Sequence, residues 1–275
     1  RYNLNNGSAD DRNSFGVLKT NGRLRSYILR INYDFKNKYL FNASYRRDGS
    51  SDFQKPNKFG DFYAFSAGWV LSEEAFLRDS FFDELKLRAS YGELGNQNIG
   101  GLNVATASTG TDVSYAFGSN QEIQDGIIIE GIVDKDLTWE KTTEFNLGLE
   151  FSLLDRRLKG EIDYYNRKNT NAILDIKLPD VFGFKPYVSH VGEIQNSGIE
   201  TSLSWTDNFE ELKYNIGLNA SYNKNEFTKA TNPNYLKSIG GDLDNGVFTK
   251  KVQVGQPLGS FFLHEVEGID DKGNL

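Results

Sequence analysis

Long runs of alternating apolar and polar residues are the feature that most constrains how this chain can fold. The alternation recurs in eight segments. A period of two places successive side chains on opposite faces of a β-strand, so each segment predicts a strand with one apolar and one polar face. The eight predicted strands are residues 27–35, 39–45, 63–71, 85–91, 145–153, 158–164, 199–205 and 214–222.

The length of these strands separates two architectures. Strands of globular proteins usually run for roughly five or six residues. Several of the predicted strands continue for roughly nine to eleven residues, which is the length that a tilted strand needs to cross a bilayer. The sequence therefore predicts an all-β fold in which antiparallel strands form an up-and-down transmembrane β-barrel.

The connections between the predicted strands alternate in length. Short turns are expected at 36–37, 155–156 and 207–211, and a longer connection at 72–84 is expected to hold one helical turn. Long polar segments lie between them. An outer-membrane barrel has short turns at its inner end and long loops at its outer end, so the alternation favours that fold. The long segments are 48–61, 93–136, 169–190 and 224–248.

Aromatic residues concentrate near the two ends of the apolar rows, which are mostly aliphatic between them. Two aromatic girdles around an aliphatic band are typical of the lipid face of an outer-membrane barrel. The girdle predicted beside the short turns comprises Phe35, Tyr39, Trp69, Phe151, Trp205 and Tyr214. The girdle predicted beside the long loops comprises Tyr27, Tyr45, Tyr63, Tyr91, Tyr164 and Tyr222.

The tripeptide Ala-Ser-Tyr occurs three times, at 43–45, 89–91 and 220–222. Each copy lies near the long-loop end of a predicted strand. The alternation then places each Tyr in the outer girdle and the preceding Asn42, Arg88 or Asn219 on the polar, lumen-facing side.

Composition excludes several classes of function. The chain has no Cys, so a disulfide framework, a thiol nucleophile and a thiolate metal site are excluded. The formal charge of −7, without a basic run, argues against binding to nucleic acid. The chain has no Met and no signal-peptide core near Arg1. We therefore expect it to be an internal piece of a longer protein.

Several long stretches resemble the SusC/RagA family of TonB-linked outer-membrane transporters of Bacteroidetes. The resemblance covers most of the chain. The stretches are YLFNASYRRDGSS (39–51), SAGWVLSEEAFL (66–77), LKLRASYGELGNQNIG (85–100), DLTWEKTTEFNLGLEFSLLDRRLKGEIDYYNRKNTNAIL (136–174), NSGIETSLSW (196–205) and VGQPLGSFF (254–262).

This resemblance implies a large plugged barrel of about 22 strands, of which residues 1–275 would supply about eight or nine. The signal peptide, the plug and the final strands would lie outside the chain. The resemblance further implies import of oligosaccharides or peptides across the outer membrane. The implied partners are a SusD-like surface lipoprotein, outer-membrane lipid and, through the N-terminal part of the full-length protein, the TonB–ExbB–ExbD system.

Residues suited to catalysis or to cofactor binding are sparse. His190 and His264 are the only imidazoles and are far apart in sequence, so each is expected to be a solvated loop residue. The stretch 242–246 resembles a calcium loop but lacks the distal Glu of that motif, which leaves a polar turn as the alternative. We expect no enzyme activity and no cofactor.

Substrate contacts are expected in the long loops, since loops carry binding on rigid scaffolds. Tyr115, Phe117 and Tyr235 are the candidates for contact with a sugar, a peptide or a partner lipoprotein. Loops that only cover the barrel mouth are the alternative. For the chain as a whole, the alternatives are a soluble β-rich carbohydrate-binding module or adhesin and a β-sandwich hydrolase.

Overall fold

An antiparallel sheet of eight strands dominates the computed structural model. The strands are β1 (Leu24–Phe35), β2 (Tyr39–Ser50), β3 (Phe59–Val70), β4 (Phe82–Asn96), β7 (Glu140–Leu153), β8 (Leu158–Ile176), β9 (Tyr187–Phe209) and β10 (Leu212–Ala230). They follow one another across the sheet in this order, and β1 and β10 form its open edges among the described residues. The structure describes residues 22–78, 80–98, 109–129, 131–176, 180–184, 187–232, 242–243, 247–250, 252–263 and 268.

Two further pairs of strands lie outside this sheet. β5 (Thr109–Phe117) and β6 (Glu122–Ile129) form a hairpin inside the longest connection, and β11 (Asp242–Leu243) pairs with β12 (Val247–Phe248). Two short 3-10 turns, Leu71–Glu73 and Asp180–Phe182, are also present. In the part of the chain that the structure describes, no helix is long and apolar enough to cross a membrane.

All eight predicted strands are confirmed, and their faces are in register across the sheet. One row of laterally paired residues runs through every strand on the apolar face: Tyr33, Phe41, Ala67, Ala89, Leu147, Tyr164, Ile199 and Tyr222. The adjacent row on the polar face is Asn32, Asn42, Ser66, Ser90, Asn146, Tyr165, Gly198 and Asn223. A slip of one residue at any pair would exchange the two faces, so the pattern itself specifies the register.

The position of a lateral row within its strand shifts from the short-turn end towards the long-connection end between β1 and β10. This stagger shows that the strands are tilted. Tyr33 lies two residues before the β1–β2 turn, whereas Tyr222, in the same row, lies far from the β9–β10 turn. Tilted strands and a staggered register are the geometry of a sheet that closes into a barrel. The aromatic residues of one girdle therefore do not all share a lateral row; across the sheet they lie in successive rows, along a diagonal.

The predicted girdle residues lie on the apolar face. Phe35, Tyr39 and Trp69 are lateral neighbours, with ring centroids 6.4 Å apart in both successive pairs. Tyr45 and Tyr63 pair at 5.2 Å at the opposite end. The other girdle residues also have lateral partners on this face. Tyr91 pairs with Phe65 and Phe145, and Phe151 pairs with Leu85 and Gly160. Trp205 pairs with Leu158 and Ile216, Tyr214 pairs with Asp207, and Tyr222 pairs with Ile199.

Several connection boundaries differ from the sequence-based expectation because the strands extend beyond the apolar rows. The expected loop 169–190 is mostly strand, since β8 continues to Ile176 and β9 begins at Tyr187. β10 likewise continues to Ala230, into the expected loop 224–248. The β9–β10 turn is limited to Glu210 and Glu211, inside the expected 207–211.

Cross-strand polar contacts explain these extensions. Lys168 Nζ lies 2.6 Å from Glu193 Oε2, and Asn225 Nδ2 donates to Asn196 Oδ1 at 2.8 Å. Such pairs stabilise the ladder. Buried apolar residues of the same extensions add two small clusters, one of Ala172, Ile176 and Val191 and the other of Phe227 with Val252. A further correction concerns connection length: 71–81 is longer than 51–58, so short and long connections do not alternate strictly. The expected helical turn in that connection is confirmed as the 3-10 turn Leu71–Glu73.

Candidate functional site

A cluster of charged side chains occupies the middle of the polar face. Arg88 on β4 contacts three carboxylates: its Nε lies 2.9 Å from Glu150 Oε1, its Nη2 lies 2.7 Å from Asp163 Oδ2, and Nη2 also contacts Glu161. Lys86 Nζ lies 3.3 Å from Glu150 Oε2. Two cations thus face three carboxyl groups.

Gly148 makes this cluster possible. It pairs laterally with both Arg88 and Asp163, so it lies between them in the ladder. A Cβ atom at position 148 would lie 2.5 Å from Asp163 Oδ1 and 2.7 Å from Arg88 Nε. The absence of a side chain therefore lets the guanidinium and the carboxylate meet over the middle strand.

An aromatic cluster lies against the polar face at the end with the long connections. Phe62 belongs to the polar face because it pairs with Arg46, and it packs with residues of the 51–58 and 131–139 segments. Trp139 Nε1 donates to the Lys58 carbonyl oxygen at 3.2 Å, and Asn57 Nδ2 donates to the Asp136 carbonyl oxygen at 3.1 Å. The cluster consists of Phe53, Phe62, Leu137, Trp139 and Val188.

Sequence reasoning missed this aromatic cluster. Leu137 and Trp139 are 3% and 5% exposed, although they lie between the expected loop 93–136 and the predicted strand 145–153 and were assigned to neither. Their spacing of two, immediately before β7, was the available signal. The cluster joins the β2–β3 connection to the segment preceding β7 and thereby holds two long connections over the polar face.

His190 is part of this structured end of the sheet. It lies in β9, so its expected position in a loop is wrong. The Thr138 N–H donates to Nε2 at 3.0 Å, which makes Nε2 an acceptor, and Nδ1 then donates to the Asn171 carbonyl oxygen at 3.0 Å. Both ring nitrogens serve backbone groups, so the imidazole joins three segments. His264 lies outside the described residues.

Glu74 organises the opposite end of the sheet. Its carboxylate accepts hydrogen bonds from the Tyr39 hydroxyl at 2.6 Å and from Trp69 Nε1 at 3.2 Å, and it lies 3.4 Å from Lys38 Nζ. The hydrogen bond from Tyr39, followed by that from Trp69, holds the pKa of Glu74 below its usual range. The 71–81 connection is thereby fixed against the aromatic residues of the apolar face.

Two of the predicted loop contacts are described. Tyr115 and Phe117 lie on the same face of β5, with ring centroids 6.1 Å apart, and are 53% and 67% exposed. Neighbouring exposed rings on a hairpin are suited to contact with an apolar or sugar-ring surface. Tyr235 lies outside the described residues, as do Asp244, Asn245 and Gly246 of the possible calcium loop. Within the described ranges, no group of three or more His, Asp or Glu side chains is placed to hold a metal ion.

Comparison with known families matches almost the whole chain. The family model described as "TonB dependent receptor-like, beta-barrel" covers residues 1–259. Among curated proteins, the TonB-dependent receptor SusC of Bacteroides thetaiotaomicron is 32% identical over 262 residues, 92% of this chain and 26% of that protein. TonB-dependent receptor P39 of Formosa agariphila is 32% identical over 268 residues, 97% of this chain and 24% of that protein. The chain thus spans about a quarter of the length of these relatives.

Solved structures show the same similarity. The structure of the RagAB peptide transporter superposes with a TM-score of 0.76 at 28% identity and covers 95% of this chain and 28% of that chain. The RagAB peptide importer in its "closed-closed" state gives a TM-score of 0.75 at 25% identity, over 99% of this chain and 31% of that chain. The open sheet described above therefore corresponds to part of a larger barrel wall. By its family match, its relatives and its fold, the chain belongs to the TonB-dependent receptor β-barrel family of outer-membrane transporters.

Proposed function

We propose that this chain is the wall segment of an importer that carries oligosaccharides or peptides through the outer membrane. Residues 1–275 would contribute to the barrel domain, with a plug and further strands supplied by other parts of the full-length protein. The polar face carries the proposal: its rows of Asn and Ser side chains and the Arg88 cluster form a hydrophilic wall beneath structured loops. Such a wall suits a hydrated solute better than an apolar one.

The partners of this importer are part of the same proposal. Relatives of this chain are a receptor named SusC and the RagAB assembly, which supports a SusD-like surface lipoprotein as the partner at the loop end. Energy would come from the TonB–ExbB–ExbD system through segments beyond this chain. No nucleic-acid partner is proposed. The reported relatives are receptors and transporters, which favours transport over an enzyme and over a soluble carbohydrate-binding module or adhesin.

The β5–β6 hairpin is the proposed contact for substrate or lipoprotein. Tyr115 and Phe117 alternate with Ala116, and Ala116 pairs with Ile123 on the other face of the hairpin. Ile123 is 77% exposed, so both faces are accessible to a ligand or partner. The aromatic face offers ring stacking, which the aliphatic face cannot.

Uptake by cells carrying the full-length transporter tests this proposal. Fluorescent oligosaccharide and peptide pools should accumulate in a TonB-dependent manner, and the Tyr115→Ala/Phe117→Ala variant should lose uptake or lipoprotein co-purification. Ile123→Ala is the matched control on the opposite face and should retain both. Unchanged uptake and co-purification after deletion of 109–129 would remove the hairpin from the proposal. TonB-independent uptake, or uptake of neither pool, would contradict the importer itself.

A further inference from the structure

Three arginines lie together on the apolar face of the sheet, at the end with the long connections. Arg25 and Arg47 share this face with Tyr27, which pairs laterally with Arg47. They are diagonal neighbours in the β1–β2 ladder, a position that separates residues by about 7–8 Å. Arg23 continues the same alternation, since its backbone exchanges hydrogen bonds with Ser51. We call Arg23, Arg25 and Arg47 the arginine patch.

Aromatic rings hold two of these guanidinium groups in place. The Arg47 guanidinium carbon lies 5.2 Å from the centroid of the Phe59 ring, and that of Arg25 lies 5.0 Å from the centroid of Tyr27. The Phe59 ring also lies over Gly49, where a Cβ atom would be 2.5 Å from the ring. Guanidinium groups that rest on rings lose less conformational freedom when they bind a ligand.

The patch carries an excess of positive charge, since three arginines face one contacting carboxylate among the described residues. Among the described residues, Asp61 is the carboxylate in contact with it, 3.6 Å from Arg47 Nη1, and Asp61 also accepts the Tyr45 hydroxyl at 2.6 Å. Lysines at the same end of the other strands are paired with carboxylates at shorter distances, and Glu193 pairs with both Lys168 and Lys229. Those pairs are Lys141–Glu93, Lys168–Glu193 and Lys224–Glu226, at 2.8, 2.6 and 2.8 Å.

The position of the patch relative to the membrane restricts its ligand. Tyr27 is at the end of the apolar row, and Arg25 follows two residues further from the midplane, about 7 Å along the strand. Long connections mark the outer side of an outer-membrane barrel, so the patch lies at the headgroup level of the outer leaflet. The apolar row that includes Leu29 and Ile31 continues beneath it and is exposed.

We propose that the arginine patch binds the phosphate groups of a phosphorylated glycolipid of the outer leaflet, the lipid A portion of lipopolysaccharide. Guanidinium groups bind phosphate through paired, charge-assisted hydrogen bonds, which the lysine ammonium groups elsewhere on this face cannot form. Acyl chains of the same molecule would lie against Leu29 and Ile31. The combination of fixed guanidinium groups above and an aliphatic surface below selects a lipid rather than free phosphate.

Native mass spectrometry of the purified, delipidated full-length transporter tests the proposal. The probes are bisphosphorylated lipid A, dephosphorylated lipid A, phosphatidylglycerol and inorganic phosphate. The Arg25→Gln/Arg47→Gln variant should bind bisphosphorylated lipid A about tenfold more weakly, as expected when charge-assisted phosphate contacts are lost. The control Lys168→Gln/Lys224→Gln removes two paired cations from the same face and should retain wild-type affinity.

The affinities for the four probes and for the two variants each either support or contradict the proposal. Equal binding of lipid A with and without phosphate, an equal loss in the control, or phosphatidylglycerol binding as tightly as lipid A would overturn the proposal. Saturation by inorganic phosphate alone would show that the acyl contacts contribute nothing and would also overturn it. Arg25→Lys/Arg47→Lys keeps both charges and replaces the glutamine variant if that variant fails to reach the membrane. It should still bind several-fold more weakly, and unchanged affinity would contradict the proposed guanidinium geometry.

Discussion

Arg88 and Asp163 meet over Gly148, with Nη2 and Oδ2 2.7 Å apart although a full strand separates the two residues. The pair brings charge together in the middle of a wall that faces the lumen. Because the contact depends on a missing side chain, it can be tested without altering either charge.

Gly148→Ala should therefore destabilise the barrel. The new methyl group overlaps both Arg88 Nε and Asp163 Oδ1, and overpacking of this kind costs about 1–3 kcal/mol. Folding titrations of the full-length protein measure this cost. Gly217→Ala is the matched control, since the nearest atom to a Cβ at 217 is 3.9 Å away. Equal effects at the two glycines would show that the close approach is not what constrains position 148.

Leu147→Arg should be costly, whereas Arg at the adjacent Asn146 should be tolerated. Leu147 lies on the apolar face and Asn146 on the polar face, in neighbouring positions of the same strand. An Arg on the lipid face near the bilayer midplane costs about 2–4 kcal/mol. The same folding titrations report the difference. Equal tolerance at both positions would mean that the two faces have been assigned the wrong way round.

Glu74 should make barrel stability depend on pH in the acidic range. Its pKa is lower in the folded protein, chiefly because the Tyr39 hydroxyl donates to the carboxylate, so folding favours the ionised form. The stabilisation is present above the ordinary carboxyl pKa of 4.5 and is lost as pH falls through the lowered folded-state value. The denaturation midpoint of wild type should exceed that of Glu74→Gln at neutral pH and converge with it in acid.

Glu73→Gln is the control for this pH dependence. Glu73 is exposed and precedes Glu74 in the same connection. Its replacement should leave the denaturation profile unchanged across the acidic range. A wild-type advantage over Glu74→Gln that persists undiminished in acid would rule out ionisation as its source.

Trp139→Ala should loosen the loop end of the barrel. Trp139 is 5% exposed and packs against Phe53 and Phe62, with centroids at 5.3 and 5.6 Å. Removal of a buried Trp costs about 3–5 kcal/mol. Exchange of the backbone amide hydrogens at residues 51–58 and 131–139 should accelerate, while those of the eight-stranded sheet remain protected. Unchanged protection of both segments would show that the aromatic cluster does not hold them.

The strands that could be predicted from the sequence are those whose apolar side chains alternate because one face contacts lipid. Leu147, Leu149 and Phe151 alternate with Asn146, Gly148 and Glu150, and the structure confirms β7 at these positions. The polar extension of β9 escaped the same reasoning. Glu193, Gln195 and Ser197 have polar partners across the ladder, among them Lys168 and Asn166. Val191 and Ile194 of the same extension pack into small buried clusters that no alternation predicts.

The site was less predictable than the fold for a related reason. Arg88 and Asp163 are 75 residues apart, and the Gly148 that lets them meet is not distinguishable by sequence from other strand glycines. The β5–β6 hairpin was interpreted as a loop because it lies outside the eight-stranded sheet and has no row of apolar residues that faces lipid. Tyr115 and Phe117 could still be identified, since two aromatic residues separated by one position are conspicuous in a polar segment. That the two rings share a face followed only from the strand.

The extended ladder between β8 and β9 has a consequence for how such surfaces diversify. A single inserted residue in a regular ladder exchanges the two faces of every residue beyond it, whereas an inserted pair leaves them in place. Irregularities between Asn169 and Ile173 already interrupt the register, and a bulge of this kind accommodates one extra residue locally. Related chains should therefore differ in this hairpin by even numbers of residues, or by odd numbers confined to the bulged stretch.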